Sequence, residues 1–147
     1  MKTFASQLIG TWQLLSREDH TAAGERRIDP SLGPDPVAIL VYDAAGNFAA
    51  QFMKRDRSIA EAAVTREASA NNSAAVNGYD AYFGKYTVDE ASRSVTQVLE
   101  GSLSPGDVGK TVTREMHVDG DALTIELATT SGDGEPVTRT LIWRRSA

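Results

Sequence analysis

At 147 residues, with 41% hydrophobic and 24% charged side chains and a mean hydropathy of −0.30, the chain has the size and composition of one globular domain over 1–147. A net charge of −5 and a pI near 5.0 argue against a nucleic-acid partner, which asks for a basic face. The lack of cysteine excludes disulfides, thiol catalysis and thiolate metal sites, and no run approaches the ~18 apolar residues of a membrane span.

Met1 to Gln7 lacks the apolar core of a signal peptide, which together with the missing cysteines leads us to expect a cytoplasmic protein. Most of the chain then alternates with a period of two, broken at short intervals by turn residues, the pattern of an all-β sandwich or barrel. A first strand is predicted from about Leu8 to Arg17, with Trp12, Leu14 and Ser16 on one face. A Gly- and Pro-rich loop from Gly24 to Pro36 follows, and Val37 to Tyr42 turns through Asp43-Ala44-Ala45-Gly46 into Asn47 to Met53. Ser58 with Glu61 forms a capping box ahead of an alanine-rich run, which predicts one helical insertion over about 58–78. Strands resume at Ala81 to Val88 and Val95 to Gly101. Thr111 to Val118 and Ala122 to Thr129 form a hairpin across Asp119-Gly120, and Val137 to Arg145 is the last strand. About eight strands with short connections predict an antiparallel up-and-down barrel, the strand number that encloses one small ligand.

The two ends of the chain carry the sharpest signals. Gly10-Thr11-Trp12 opens the first strand, and Trp143-Arg144-Arg145 closes the last. The indole of Trp12 is expected to plug the barrel base, with Arg144 or Arg145 across its face as a cation–π pair. With Tyr42-Asp43 and Gly46, Gln51-Phe52-Met53, Tyr79 to Tyr86 with Gly84 inside, Ser102-Leu103-Ser104-Pro105, Gly120-Asp121-Ala122-Leu123-Thr124 and Leu141-Ile142-Trp143, these segments span nearly the whole chain. In order and spacing the sequence resembles the bacterial lipocalin-like domain proteins of the calycin group. The resemblance implies a single lipocalin-like barrel with a helical insertion, and such barrels host both binders and enzymes. Relatives often place a histidine in the middle of the fifth strand, where this chain reads Thr96-Gln97-Val98-Leu99-Glu100, so a mechanism built on that histidine does not carry over.

Alternation also sorts the candidate site residues. Val112, Arg114, Met116 and Val118 share an apolar face that should point inward and take the Arg114 guanidinium with it. An unpaired charge there would be costly, so its partner is a ligand anion, an acidic side chain or water at the barrel mouth. Tyr82 and Tyr86 fall on the inner face of their strand, Gln97 and Leu99 on that of the next, while Gln51 lies on a strand with two plausible inner faces. Together with Met116 these residues make up the expected ligand-binding set, and Tyr82, Tyr86 and Arg114 are the catalytic candidates if there is a reaction. His20 and His117 read as surface residues, and no spacing suggests a metal, a nucleophile elbow or a phosphate loop, so neither cofactor nor metal is expected. The first reading is a barrel binding a small, mostly apolar ligand with one polar or anionic group. The alternative is a cofactor-independent isomerase, cyclase or hydratase acting on such a molecule in the same pocket. The expected partner is a small molecule, with neither nucleic acid nor membrane, and a homodimer stays open.

Overall fold

The computed structural model describes residues 2–57, 78–131 and 133–146. A short helix α1 (Phe4–Leu8) precedes nine strands: β1 (Gly10–His20), β2 (Arg26–Arg27), β3 (Val37–Tyr42), β4 (Asn47–Met53), β5 (Tyr79–Asp89), β6 (Ser94–Ser102), β7 (Thr111–Asp119), β8 (Ala122–Thr130) and β9 (Pro136–Arg145). Every neighbouring pair is antiparallel, and β1 pairs with both β3 and β9. The sheet therefore closes into an eight-stranded up-and-down barrel, with β2 as an extra two-residue strand on the far end of β1. Closure removes the exposed sheet edges that would otherwise invite pairing with other chains.

The strands β3 and β4 and the β7–β8 hairpin form where the alternation places them. The predicted helix over 58–78 lies outside the described residues, except for Gly78. That glycine takes φ +76° and its carbonyl accepts from the Lys54 amide at 2.7 Å, so the β4–β5 connection leaves and re-enters the sheet at one place. Two features depart from the reading above. The first strand starts at Gly10 rather than Leu8, because Thr3 caps α1 by accepting from the Ser6 amide at 3.1 Å. The register of β1 on β9 also slips between Leu14 and Ser16. A bulge of this kind inserts one residue and reverses the side-chain parity beyond it. Trp12 and Leu14 face in on one side of the bulge; Arg17 and Asp19, not Ser16, face in on the other.

Register assigns the two ends of the barrel. Gly10 pairs with Tyr42 and Trp12 with Arg145, so the start of β1, the β3–β4 turn and the end of β9 meet at one end. The helix α1 lies across that end, with Phe4 and Leu8 buried and the Phe4 and Ala5 amides donating to the Glu90 carboxylate at 2.8 and 3.0 Å. The interior at this end is packed with Trp12, Tyr42, Val95, Val118, Leu123 and Trp143. The opposite end carries the β2–β3 and β6–β7 loops and the β4–β5 connection. A second bulge, where Phe83 pairs with Gly101 and Gly84 with Leu99, leaves Glu100 of β6 as the extra residue; a side chain at Gly84 would put its Cβ 1.8 Å from the Val98 carbonyl oxygen.

Candidate functional site

The closed end is built around Gly10. Its φ of +140° is a glycine conformation, and a Cβ there would come within 2.8 Å of Arg145 Nη1. That guanidinium lies over the Trp12 ring at 4.2 Å and donates to the Ile9 and Gln7 carbonyls at 2.8 and 2.6 Å. The Trp12 indole, fully buried, donates to the Leu8 carbonyl at 3.0 Å. Arg145 is therefore the closing arginine, and Arg144 is exposed on the outer face. The pairing of Trp12 with Arg145 decides between the two arginines that the sequence left open, and Arg145 shares the inner face of Leu141 and Trp143.

Above this base the inner wall carries a chain of polar contacts. Gln97 is buried, as its parity predicts, and its amide donates to the Tyr42 hydroxyl at 2.6 Å. Tyr42 in turn donates to Met116 Sδ at 3.8 Å, a distance suited to sulfur. Burial, more than any neighbour, pushes the Tyr42 phenol far above its usual range. Leu99 is buried in the same core. Tyr86 packs edge-on against Tyr42 at 4.8 Å and donates to the Asp43 carbonyl at 2.6 Å, which orients it toward the β3–β4 turn. Gln51 is corrected by the structure: it is exposed on the outside of β4, where it accepts from the Tyr79 hydroxyl. The inner face of β4 belongs to Phe48, Ala50 and Phe52, since their neighbours Tyr42, Leu40 and Ala38 on β3 are the buried ones.

Arg114 and Tyr82 stand nearer the middle. The β7 burial pattern sets Arg114 on the face of Val112, Met116 and Val118, while His117 is exposed on the other. Arg114 is half-buried; burial lowers its pKa, the Arg139 charge adds to this, and the Tyr82 and Tyr42 phenols oppose it. Burial likewise pushes the Tyr82 phenol well above its usual range, with Asp80 adding and Arg114 opposing. Tyr82 stacks on Phe52 at 6.3 Å, and Phe52 meets Trp143 edge-on at 5.7 Å, so an aromatic wall runs across the barrel from β5 to β9.

At the mouth the interior is ionic. Arg139 reaches Asp19 with two nitrogens, Nε to Oδ1 at 2.8 Å and Nη2 to Oδ2 at 3.0 Å. Asp29, from the β2–β3 loop, accepts on one oxygen from Arg17 at 3.0 Å and from Arg139 at 3.3 Å. Its other oxygen accepts from the Ser31 amide at 2.9 Å and hydroxyl at 2.7 Å. Arg17 and Arg139 are only 5% and 4% exposed. Burial is the chief cause of the lowered Arg17 pKa, the Arg139 charge adds to it, and Asp29 opposes. For Asp29 burial works upward, but the Arg17 charge and the Ser31 hydrogen bonds outweigh it and hold the carboxyl below its usual range.

Sequence reasoning placed Tyr82, Gln97, Leu99, Arg114 and Met116 on the inner wall and missed Arg17, Asp19, Asp29, Arg139 and Tyr42. For Arg139 and Tyr42 a signal was present: Arg139 alternates with Val137 and Leu141, and Tyr42 with Leu40. For Arg17 and Asp19 it was not, because the bulge reverses parity without a marker, and Asp29 sits in a loop where alternation says nothing. Among the described residues, no group of three or more histidine, aspartate or glutamate side chains could hold a metal ion, and no helix is long and apolar enough to cross a membrane.

A search of curated proteins returned no match. The model of one protein family, described as a lipocalin-like domain, matches residues 9–146, from the residue before Gly10 to the one after Arg145. The match takes in the closed base, the aromatic wall and the ionic mouth alike, and the chain belongs to the lipocalin-like domain family.

Proposed function

We propose that the barrel binds a small, mostly apolar molecule carrying one polar or anionic group. Ligand binding in general fits a closed eight-stranded barrel of this family. The observation that carries the finer reading is the Arg114 guanidinium on an inner face otherwise made of Val112, Met116 and Val118. A methionine of similar volume would avoid the desolvation of that charge, and a guanidinium suits a ligand group that accepts hydrogen bonds. Tyr82, half-buried and stacked on Phe52, supplies aromatic surface for the apolar remainder.

Binding is favoured over isomerase, cyclase or hydratase chemistry by the interior phenols of Tyr42, Tyr82 and Tyr86, each with its pKa raised by burial. A proton-transfer group works best with a pKa near the working pH, and burial moves all three the other way. They suit the part of neutral hydrogen-bonding walls. Native mass spectrometry of the purified protein tests the reading by the mass of any copurifying molecule. The variant Arg114→Met is expected to weaken an anionic ligand by about 1–3 kcal/mol while leaving the melting temperature unchanged or raised. Unfolding of the variant, with unaltered ligand affinity in the folded fraction, would assign Arg114 to structure instead.

A further inference from the structure

We infer that Asp29 acts as a built-in competitor for the ligand's anionic group, so that a bound anion takes its place on Arg17 and releases the Asp29 end of the β2–β3 loop from the barrel mouth. The inference rests on the binding reading above and adds to it where the anion docks and what moves when it does.

The two carboxylates at the mouth come from different parts of the fold. Asp19 is part of the barrel wall, on β1 directly opposite Arg139 in register, and it accepts two parallel bonds from that arginine. That pair closes without help from any loop. Arg17 is different, since the carboxylate that bonds it at 3.0 Å is delivered by the loop between β2 and β3. The same Asp29 oxygen also reaches Arg139, so one carboxylate oxygen sits between two buried guanidiniums. The positive field there is wider than this pair, because Arg139 acts electrostatically on both Arg17 and Arg114.

The end of the loop next to β3 is fixed from outside, the Pro34 carbonyl accepting from Arg26 at 3.0 Å and Asp35 accepting from Arg55 on its carbonyl at 3.1 Å and its carboxylate at 3.0 Å. The stretch around Asp29 has its own ties. Ser31 holds Asp29 through its amide and hydroxyl, the Gly33 amide donates to the Asp29 carbonyl at 2.8 Å, and Leu32 is buried in the core. The Asp29–Leu32 stretch is thus a short cap with one charged foot and one apolar foot, set in the end of the barrel opposite the packed base. Withdrawal of Asp29 alone would leave Arg17 as a buried cation short of its anion, a costly state. Replacement of the Asp29 carboxylate by a ligand carboxylate, sulfonate or phosphate restores the pairing, and the aliphatic or aromatic part of the ligand takes over the apolar surface that Leu32 covers. Ligand and loop then compete for the same charges, and neutral analogues gain nothing from Arg17.

The test uses two fluorescent probes with one aromatic scaffold, anilinonaphthalene sulfonate and the uncharged phenylnaphthylamine, titrated into the full chain. Asp29→Asn keeps the shape and removes the competing charge, so the sulfonate is expected to bind about tenfold more tightly while the neutral probe changes less than about twofold. Arg17→Met is expected to weaken the sulfonate by about tenfold and spare the neutral probe. Should the Asp29 variant fail to fold, Ser31→Ala loosens the same foot without altering charge, and a smaller gain for the sulfonate alone is expected. Equal changes for both probes, or a sulfonate affinity indifferent to Asp29 and Arg17, would overturn the exchange while leaving the container reading standing on the neutral probe. Failure of both probes to bind the native chain would overturn both.

Discussion

Gly10→Ala probes the closed end at the point where backbone and side chain constrain each other. Alanine at φ +140° carries strain of about 1–3 kcal/mol. Its Cβ would also stand 2.8 Å from Arg145 Nη1, and that clash with the tip of a flexible side chain would cost little if the tip could simply move. Here it cannot move without loss, because the guanidinium lies 4.2 Å over Trp12 and donates to the Ile9 and Gln7 carbonyls. The cation–π contact, partly open to solvent, is worth about 0.5–1 kcal/mol, and the two bonds together about 1 kcal/mol once their exposure is discounted. Strain and lost contacts sum to about 2.5–5 kcal/mol for Gly10→Ala. Of this, about 1–2 kcal/mol should vanish when Arg145 is already methionine, because the contacts are then gone. Urea unfolding followed by tryptophan fluorescence on the four proteins of a double-mutant cycle measures that coupling, provided the denaturant slopes agree. If Gly10→Ala costs the same in both backgrounds within about 0.5 kcal/mol, Arg145 is a bystander and the glycine is needed for its φ alone.

Tyr42→Phe should destabilise the fold by about 1–3 kcal/mol, since it strands the Gln97 amide in the core, and adding Gln97→Leu should recover part of that loss in chemical denaturation. The Asp29 carboxyl titrates below its usual range when folded, so its stabilising effect is complete above the unfolded-state pKa of about 4 and disappears as pH falls through the folded value. Asp29→Asn should therefore flatten the acid limb of a stability–pH curve below about pH 4, and an unchanged acid limb would contradict the ion pairing at the mouth. Gly84→Ala sets a Cβ against backbone rather than a movable side chain, and circular dichroism melts should show a loss of about 3 kcal/mol or more.

Local pattern accounted for much of this protein. Alternation and turn residues located β3, β4 and the β7–β8 hairpin, and the same rule placed Arg114 and Gln97 inside because a strand's faces follow from a period of two. The glycine and tryptophan of the first strand and the arginine of the last announced the closed base, although 136 residues separate the Ile9 carbonyl from the Arg145 guanidinium that reaches it. Such long-range pairing is legible only when both partners carry a recognisable signature. The ionic mouth had none. Arg17 and Asp19 face inward because one extra residue near Leu15 reverses β1, a choice made by pairing with β9 and not by any residue in β1 itself. Asp29 reaches the interior because closing the barrel brings the β2–β3 loop over its open end, where two desolvated guanidiniums require an anion. The wall of this container was thus written in short-range periodicity, and the charges at its mouth were arranged by the closure of the sheet.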